Sequence, residues 1–422
     1  MTEIQLLILI LAFGRFGFET HLGNLNLKQF VSLKEKQPKK TKKLMSEEEW
    51  DKASSYSISK TKFSIFEDAF GLLIFSILLF WFFPFFFNYF DTGFKQSTWK
   101  CAIFAVLFLY ISQIHSIVFD WWRHFKLEEK FGFNKSTGKL WFKDKVIELF
   151  LSFLLGVPLL GLLILSFRYF SQFSNLWWVW AFGIFFIIQL VLMVLWPKFI
   201  LPLFNKLSPL GEGCLRDKLH DLSSKAGFIS REIEVIDGSK RSSHSNAFFT
   251  GFGKFRKIVI YDTLIDQMED DEIAAVLAHE IGHYKKGHIP QRLLISFFMG
   301  LAFFGFFSIS LSSTYLYQGL NLNAENLHSF TPMAMAFSIF MPCITYWFAP
   351  LSNYWSRRHE YEADEFAIKI IGRDCKLIDA LAKMYQENLS HPLPHPLFSF
   401  FHHSHPNFFE RERAMEKTLK TL

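Results

Sequence analysis

The residues of this chain best equipped for chemistry are His279-Glu-Ile-Gly-His283. They close the run Glu272-Ile-Ala-Ala-Val-Leu-Ala-His-Glu-Ile-Gly-His283, which opens after the acidic cluster Glu269, Asp270 and Asp271, a composition suited to a helix N-terminus. Residues four apart share a helix face, so His279 and His283 can offer imidazole nitrogens to one Zn2+ while Glu280 turns toward the water held by the metal. With three protein ligands the fourth position stays open, and zinc lowers the pKa of its water to about 7, which provides a nucleophile at neutral pH. Glu280 is then the catalytic base that takes the proton and delivers it to the leaving amine. One zinc ion per chain is expected.

The third ligand lies elsewhere in the sequence. A metzincin would need Gly and His at the positions held by Lys286 and Ile289, so His288 is not the expected third ligand. The segment Arg357-Arg-His-Glu-Tyr-Glu-Ala-Asp-Glu-Phe-Ala367 is rich in carboxylates and compatible with a helix. Glu360 and Asp364 share one face there; one can bind zinc while the other accepts the free ring N–H of a ligand histidine, and spacing leaves open which does which. The tail adds His391, His395, His402, His403 and His405, then Pro406 and Arg411. A histidine brought near the metal can donate to a developing oxyanion. Three short runs, Ile233 to Ile236, Asn246 to Thr250 and Ile258 to Tyr261, read as strands of a small sheet. Asn246-Ala-Phe-Phe-Thr-Gly is the expected edge, on which a peptide substrate can lie as an added strand.

The elements that must position these residues are mostly apolar. Half of the 422 residues are hydrophobic, 54 are Phe, and the mean hydropathy is positive, more than the cores of a soluble chain require. The excess predicts contact with lipid. A net charge of +6, from 45 basic and 39 acidic residues, gives no sign of a nucleic-acid partner. Cys101, Cys214, Cys343 and Cys375 are widely spaced, which argues against a thiolate zinc knuckle or a disulfide framework. The N-terminal apolar run has Glu3 where a signal peptide would carry Lys or Arg, and reads as a retained span.

Seven stretches approach the roughly 20 apolar residues that a bilayer crossing needs. They run from about Ile4 to Phe18, Ala69 to Phe90, Cys101 to Phe119, Val146 to Phe167, Leu176 to Leu195, Leu293 to Leu316 and Phe330 to Trp347. Lys and Arg gather in the loops after spans one and three, after span five and in the tail, whereas the loops after spans two, four and six hold few or none. Because basic loops mark the cytoplasmic side, the residues from about Phe199 to Arg292 and from Leu351 onward are both expected there. The Lys-rich first loop reads as a solvated tether. The expected division is a membrane region over 1–200, a cytoplasmic-side peptidase segment with a small sheet over 201–292, spans six and seven over 293–350, and a second peptidase segment over 351–422.

Several segments, in order, resemble one family, the CAAX prenyl protease 1 type of integral-membrane zinc metalloproteases. They are Glu128-Glu-Lys-Phe-Gly-Phe-Asn-Lys135, Trp196-Pro-Lys-Phe-Ile-Leu-Pro-Leu-Phe-Asn-Lys206, Ser245-Asn-Ala-Phe-Phe-Thr-Gly251, Ile258-Val-Ile-Tyr-Asp-Thr-Leu264, the His279 motif, Glu360-Tyr-Glu-Ala-Asp364, and Ser404-His-Pro406 with Arg411. The resemblance implies that Glu360 is the third zinc ligand and that Asp364 stands behind the ligands. It implies that Asn246 holds substrate backbone, that His405 steadies the tetrahedral intermediate, and that Arg411 supports the site. It also implies a fold: seven transmembrane helices around an intramembrane chamber with side openings, closed on the cytoplasmic side by a small α+β peptidase cap.

The implied substrates are peptides or proteins, prenylated C-terminal CAAX tails or faulty membrane proteins, met at the bilayer of an endoplasmic reticulum or a bacterial inner membrane. The loop from about Gln318 to Ser329 is shorter than in some relatives. A membrane zinc transporter would carry ionisable residues at mid-span, where only His115 and Glu148 come close, and an inactive scaffold would not need Glu280 beside both histidines. Natural substrates and oligomeric state are not written in the sequence.

Overall fold

The computed structural model describes residues 1–94, 97–228, 233–250, 257–323 and 329–422. Gly251, at the end of the expected edge segment, and residues 324–328 of the loop before span seven lie outside the described residues. Among the described residues, seven helices are long and apolar enough to cross a membrane: α1 (Glu3–Glu35), α2 (Glu47–Asn88), α3 (Thr98–Glu128), α4 (Gly138–Phe170), α5 (Trp177–Phe204), α9 (His288–Leu311) and α10 (Phe330–Ile371). Between α5 and α9 lie β1 (Leu207–Pro209), α6 (Cys214–Lys225), β2 (Ile233–Ile236), β3 (Ala247–Thr250), β4 (Lys257–Tyr261), α7 (Asp262–Gln267) and α8 (Asp270–Lys285). The tail adds α11 (Leu377–Glu387), α12 (Pro396–His402) and α13 (Phe408–Leu419).

Most of the spanning helices outrun the apolar windows that announce them. A 42-residue helix such as α10 is about 63 Å long at about 1.5 Å per residue, twice the roughly 30 Å of bilayer hydrocarbon. Its outer half therefore leaves the lipid as one continuous rod. Where a helix begins is set by side-chain caps: Thr2 and Gln5 form a reciprocal capping box at α1, and Ser46 and Glu49 form another at α2. Span six differs from its expected limits of Leu293 to Leu316. The helix starts at His288 and stops at Leu311, and Ser313 caps a separate short turn, Thr314–Gly319, by accepting from the Leu316 amide. Tyr315 and Leu316 resume the apolar run beyond Ser312 and Ser313, so hydropathy alone ran past the break.

Proline shapes the spans. Pro158 and Pro342 sit inside α4 and α10, and π-type turns at Leu78–Phe82 and Trp196–Ile200 lie at Pro84 and Pro197, where the ring and the missing N–H disturb the backbone ladder. The membrane core is aromatic: Phe83, Phe104, Phe108, Phe182, Phe304, Phe307 and Phe337 are buried together. The outer faces are apolar as well, with Phe150 and Ile187 both 62% exposed, as lipid-facing side chains must be.

The cap has its own core, in which Trp50 and Met45 from the α1–α2 hairpin pack with Leu219, Ile258, Leu264, Ile273, Leu277, Ile281 and Phe408. Among the described residues the sheet has four strands in the order β1-β2-β4-β3, one more than the sequence suggested. β1 and β2 are antiparallel, β2 and β4 parallel, and β3 pairs antiparallel with β4, with Ala247 opposite Ile260. β3 is thus an edge strand, as its sequence led one to expect. The Lys-rich connection after α1 is not all tether, because Lys43 pairs with Glu412 of the tail at 2.6 Å.

Candidate metal centre

Two helices bring the chemistry together. α8 carries the H-E-x-x-H residues and α10 the carboxylates, and they cross at Gly282. A Cβ at that position would come within 3.0 Å of the Ala363 backbone, so the glycine permits a contact that any side chain would push apart. Ala363 and Ala367 opposite are fully buried. The crossing places Nε2 of His279 3.2 Å from Nε2 of His283. Glu360 Oε2 lies 3.4 Å from the first nitrogen and Oε1 lies 3.3 Å from the second.

Those separations match a metal. Donors about 2.0–2.1 Å from an ion at tetrahedral corners lie about 3.3 Å apart. Among the described residues, His279, His283 and Glu360 are the one group whose ligand atoms converge within 4.8 Å. Glu360 is 1% exposed, and a cation between its carboxylate and the two imidazoles would offset the cost of burying that charge. The residues present fit the ion.

His279 and Glu360 are held from behind. Nδ1–H of His279 donates to Asp364 Oδ1 at 2.8 Å, which leaves Nε2 free for a metal. Arg411 grips the same carboxylate with two bonds, Nε to Oδ2 at 2.8 Å and Nη2 to Oδ1 at 2.6 Å, and its Nη1 lies 3.6 Å from Glu360. Burial holds the His283 imidazole below its ordinary pKa and hence neutral, as a ligand must be. Burial also acts downward on His279, but hydrogen bonds to Asp364 and Glu360 outweigh it and raise the ring to about 9, so a metal taking Nε2 displaces a proton.

Glu280 points into a cavity of about 750 Å3. Burial raises its carboxyl above the ordinary range, which strengthens it as a base. The cavity runs from the metal residues along α1 and α2, whose Glu19, Asn26, Lys60 and Asp68 line it, and Asn246 and Ala247 at the start of β3 form part of its wall. The backbone of β3 reaches the cavity because membrane loops clamp the residues before it. Phe133 stacks on His244 at 4.0 Å, Lys135 N donates to Arg241 O, and Arg241 binds Asp144 and Asn205. The segments Glu128–Lys135 and Trp196–Lys206 thus act as braces for the edge strand.

The tail histidines divide by environment. His405 is 63% exposed in its side chain, lines the cavity and brings Nδ1 within 2.9 Å of Glu360 Oε2. His391 is wedged between Phe30 and Trp50, where burial pushes it down to about 3. His395 caps α12, His402 pairs with Glu19 at 3.2 Å, and His403 approaches Ser399. Of the sequence-derived site residues, His279, His283, Glu360, Asp364, His405 and Arg411 are joined by contacts, and Glu280 and Asn246 line the cavity beside them.

The sequence reading missed Glu19 and Asp68, which fall just outside or at the margin of apolar windows and line the cavity. It set His288 aside as a ligand and did not single out Glu362; their place behind His283 depends on a turn at Gly287, φ +71°.

Residues 28–206 match the family model described as CAAX prenyl protease N-terminal, five membrane helices, and residues 209–419 match that of peptidase family M48. The chain is 34% identical to the CAAX prenyl protease 1 of Saccharomyces cerevisiae, over 98% of this chain and 95% of that protein. It is likewise 34% identical to the CAAX prenyl protease 1 homolog of Arabidopsis thaliana, over 94% of each. The crystal structure of S. mikatae Ste24p superposes with a TM-score of 0.88 at 32% identity, covering 98% of this chain and 99% of that one. A chain with this fold, this convergence of two histidines with a glutamate, and these matches over nearly its whole length belongs to the CAAX prenyl protease 1 branch of peptidase family M48 and is a multi-spanning membrane metallopeptidase.

Proposed function

We propose that the metal is zinc, one ion per chain, held by His279, His283 and Glu360, and that the enzyme trims prenylated C-terminal CAAX tails at the cytoplasmic face of its membrane. The observation that carries this reading is the set of three donors 3.2–3.4 Å apart beside Glu280 at a cavity that also holds an edge strand. Two imidazoles and one carboxylate with an open fourth position are a familiar catalytic zinc set. When bound, zinc supplies Lewis acidity that polarises the scissile carbonyl and lowers the pKa of water.

The chain's own residues do the rest. Ala247 to Thr250 offer an unpaired strand edge on which substrate backbone can pair, and Asn246 at its start can bind a further peptide group. Glu280 takes the proton of the attacking water and passes it to the leaving nitrogen. His405, whose side chain is largely exposed and beside Glu360, donates to the carbonyl oxygen as it gains negative charge. Asp364 and Arg411 keep the His279 ring in the tautomer that frees Nε2.

Support for the CAAX substrate comes from the names of the relatives, and support for the cytoplasmic face from the basic loops between spans. The test is cleavage of a prenylated CAAX peptide and of an unprenylated membrane-protein fragment by purified wild type and by Glu280→Gln, with zinc measured in both. The expected result is cleavage of the prenylated peptide by wild type alone, zinc being equal in the two. Equal cleavage by both proteins overturns the peptidase mechanism, and indifference to the prenyl group overturns the substrate.

A further inference from the structure

Behind His283 lies a chain of polar contacts that the roles given above leave unused. Its Nδ1 is 2.9 Å from Nδ1 of His288, and Nε2 of His288 is 3.1 Å from Glu362 Oε2. The other oxygen of Glu362 accepts from Arg358 Nε at 2.9 Å. Protons can be placed along this chain from one fact. If Nε2 of His283 gives its lone pair to a metal, the neutral ring keeps its proton on Nδ1, and that N–H must donate to His288. Nδ1 of His288 then accepts, its proton sits on Nε2, and Nε2–H donates to the Glu362 carboxylate.

His288 is locked in this orientation by its surroundings. It is 1% exposed and stacks face to face on His359, with ring centres 3.9 Å apart and planes 8° from parallel. The turn at Gly287, in the left-handed region at φ +71°, folds the start of α9 back beneath the end of α8. Glu362, by contrast, is 30% exposed in its side chain and Arg358 is 71% exposed, so the chain leads from the half-buried His283 through the buried His288 to the surface.

We infer that His288 is a positioning residue for the metal, relaying the hydrogen bond of Glu362 to His283. It fixes the ring of that ligand and makes it a stronger donor, as Asp364 does for His279 without an intermediary. The inference rests on the ligand set proposed above.

The test is Zn2+ affinity of the full-length protein, measured by competition with a chelator. His288→Phe keeps a flat ring against His359 and removes the acceptor; it is expected to weaken zinc 10–100-fold. His288→Asn, whose Oδ1 can stand near the lost Nδ1, is expected to recover most of that loss. Glu362→Gln, at a partly exposed position that does not endanger folding, is expected to weaken zinc several-fold in wild type and to have no effect in His288→Phe. A purely structural role would not produce that dependence. Unchanged affinity in His288→Phe, or an equal effect of Glu362→Gln with and without His288, overturns the relay. His279→Ala, run alongside, separates the two claims: if it keeps stoichiometric zinc, the ligand set is wrong, whereas its loss of zinc beside an unaffected His288→Phe sinks the relay alone.

Discussion

On the outside of the membrane bundle, Phe150 and Ile187 meet lipid, and many other apolar residues of similar size would serve there. At the crossing of α8 and α10, Glu360, Asp364 and Arg411 are all buried, and Arg411 holds Asp364 with two hydrogen bonds. The contrast follows from the solvent of each region. Lipid rewards any apolar surface, so the bundle specifies length and rough packing, whereas a buried charge costs several kcal/mol unless a partner stands at hydrogen-bond distance. Tolerance to substitution should therefore fall steeply between these two regions.

The largest effect is expected from Glu360→Ala. It removes a ligand and leaves Arg411 with less counter-charge, and both stoichiometric zinc and peptide cleavage should be lost in metal analysis and assay of the purified protein. If the variant keeps its zinc, the contrast has been drawn around the wrong residue. Gly282→Val tests the crossing itself without touching a ligand. A side chain there must move the Ala363 backbone; destabilisation of about 1–3 kcal/mol should accompany a loss of zinc affinity, and a valine variant of normal affinity would show that the helices need not touch at that point.

A pH profile sharpens the comparison. Glu280 must be ionised to accept a proton, and burial raises its carboxyl pKa. As pH falls, kcat/KM should decline through a value above the roughly 4.3 of a free glutamate, because the base is protonated earlier than an exposed carboxylate would be. An acid limb at or below the ordinary value would mean that the site does not desolvate this group. The smallest effect is expected on the bundle surface, where Ile187→Leu should leave zinc and turnover unchanged and shift stability by less than about 0.5 kcal/mol. A large loss there would reveal a contact surface where lipid was expected.

Hydropathy and short-range spacing carried much of this molecule. Long apolar windows marked all seven spans because lipid demands continuous burial of about 20 residues, and the spacing of His279 and His283 put them on one helix face before any fold was known. The acidic run before Ile273 marked the start of α8 for the same local reason, that a helix N-terminus favours negative charge. The resemblance of separated segments pointed to Glu360, Asp364, His405 and Arg411, but their spacing alone could not assign them roles.

Long-range packing decided what those patterns could not contain. The choice between Glu360 and Asp364 depends on which faces the Nε2 side of His279 and which the Nδ1 side, and that is fixed by the crossing at Gly282 rather than by anything within four residues of either. The sorting of the tail histidines, one beside Glu360 and another between Phe30 and Trp50, depends on contacts between residues far apart in the chain. His288 could be dismissed as a ligand from its position, yet its contact with His283 needs the reversal at Gly287 and a carboxylate from α10. Sequence periodicity reports a residue's face on its own helix; which partner meets that face is set by how helices cross, and crossing is a property of the folded chain.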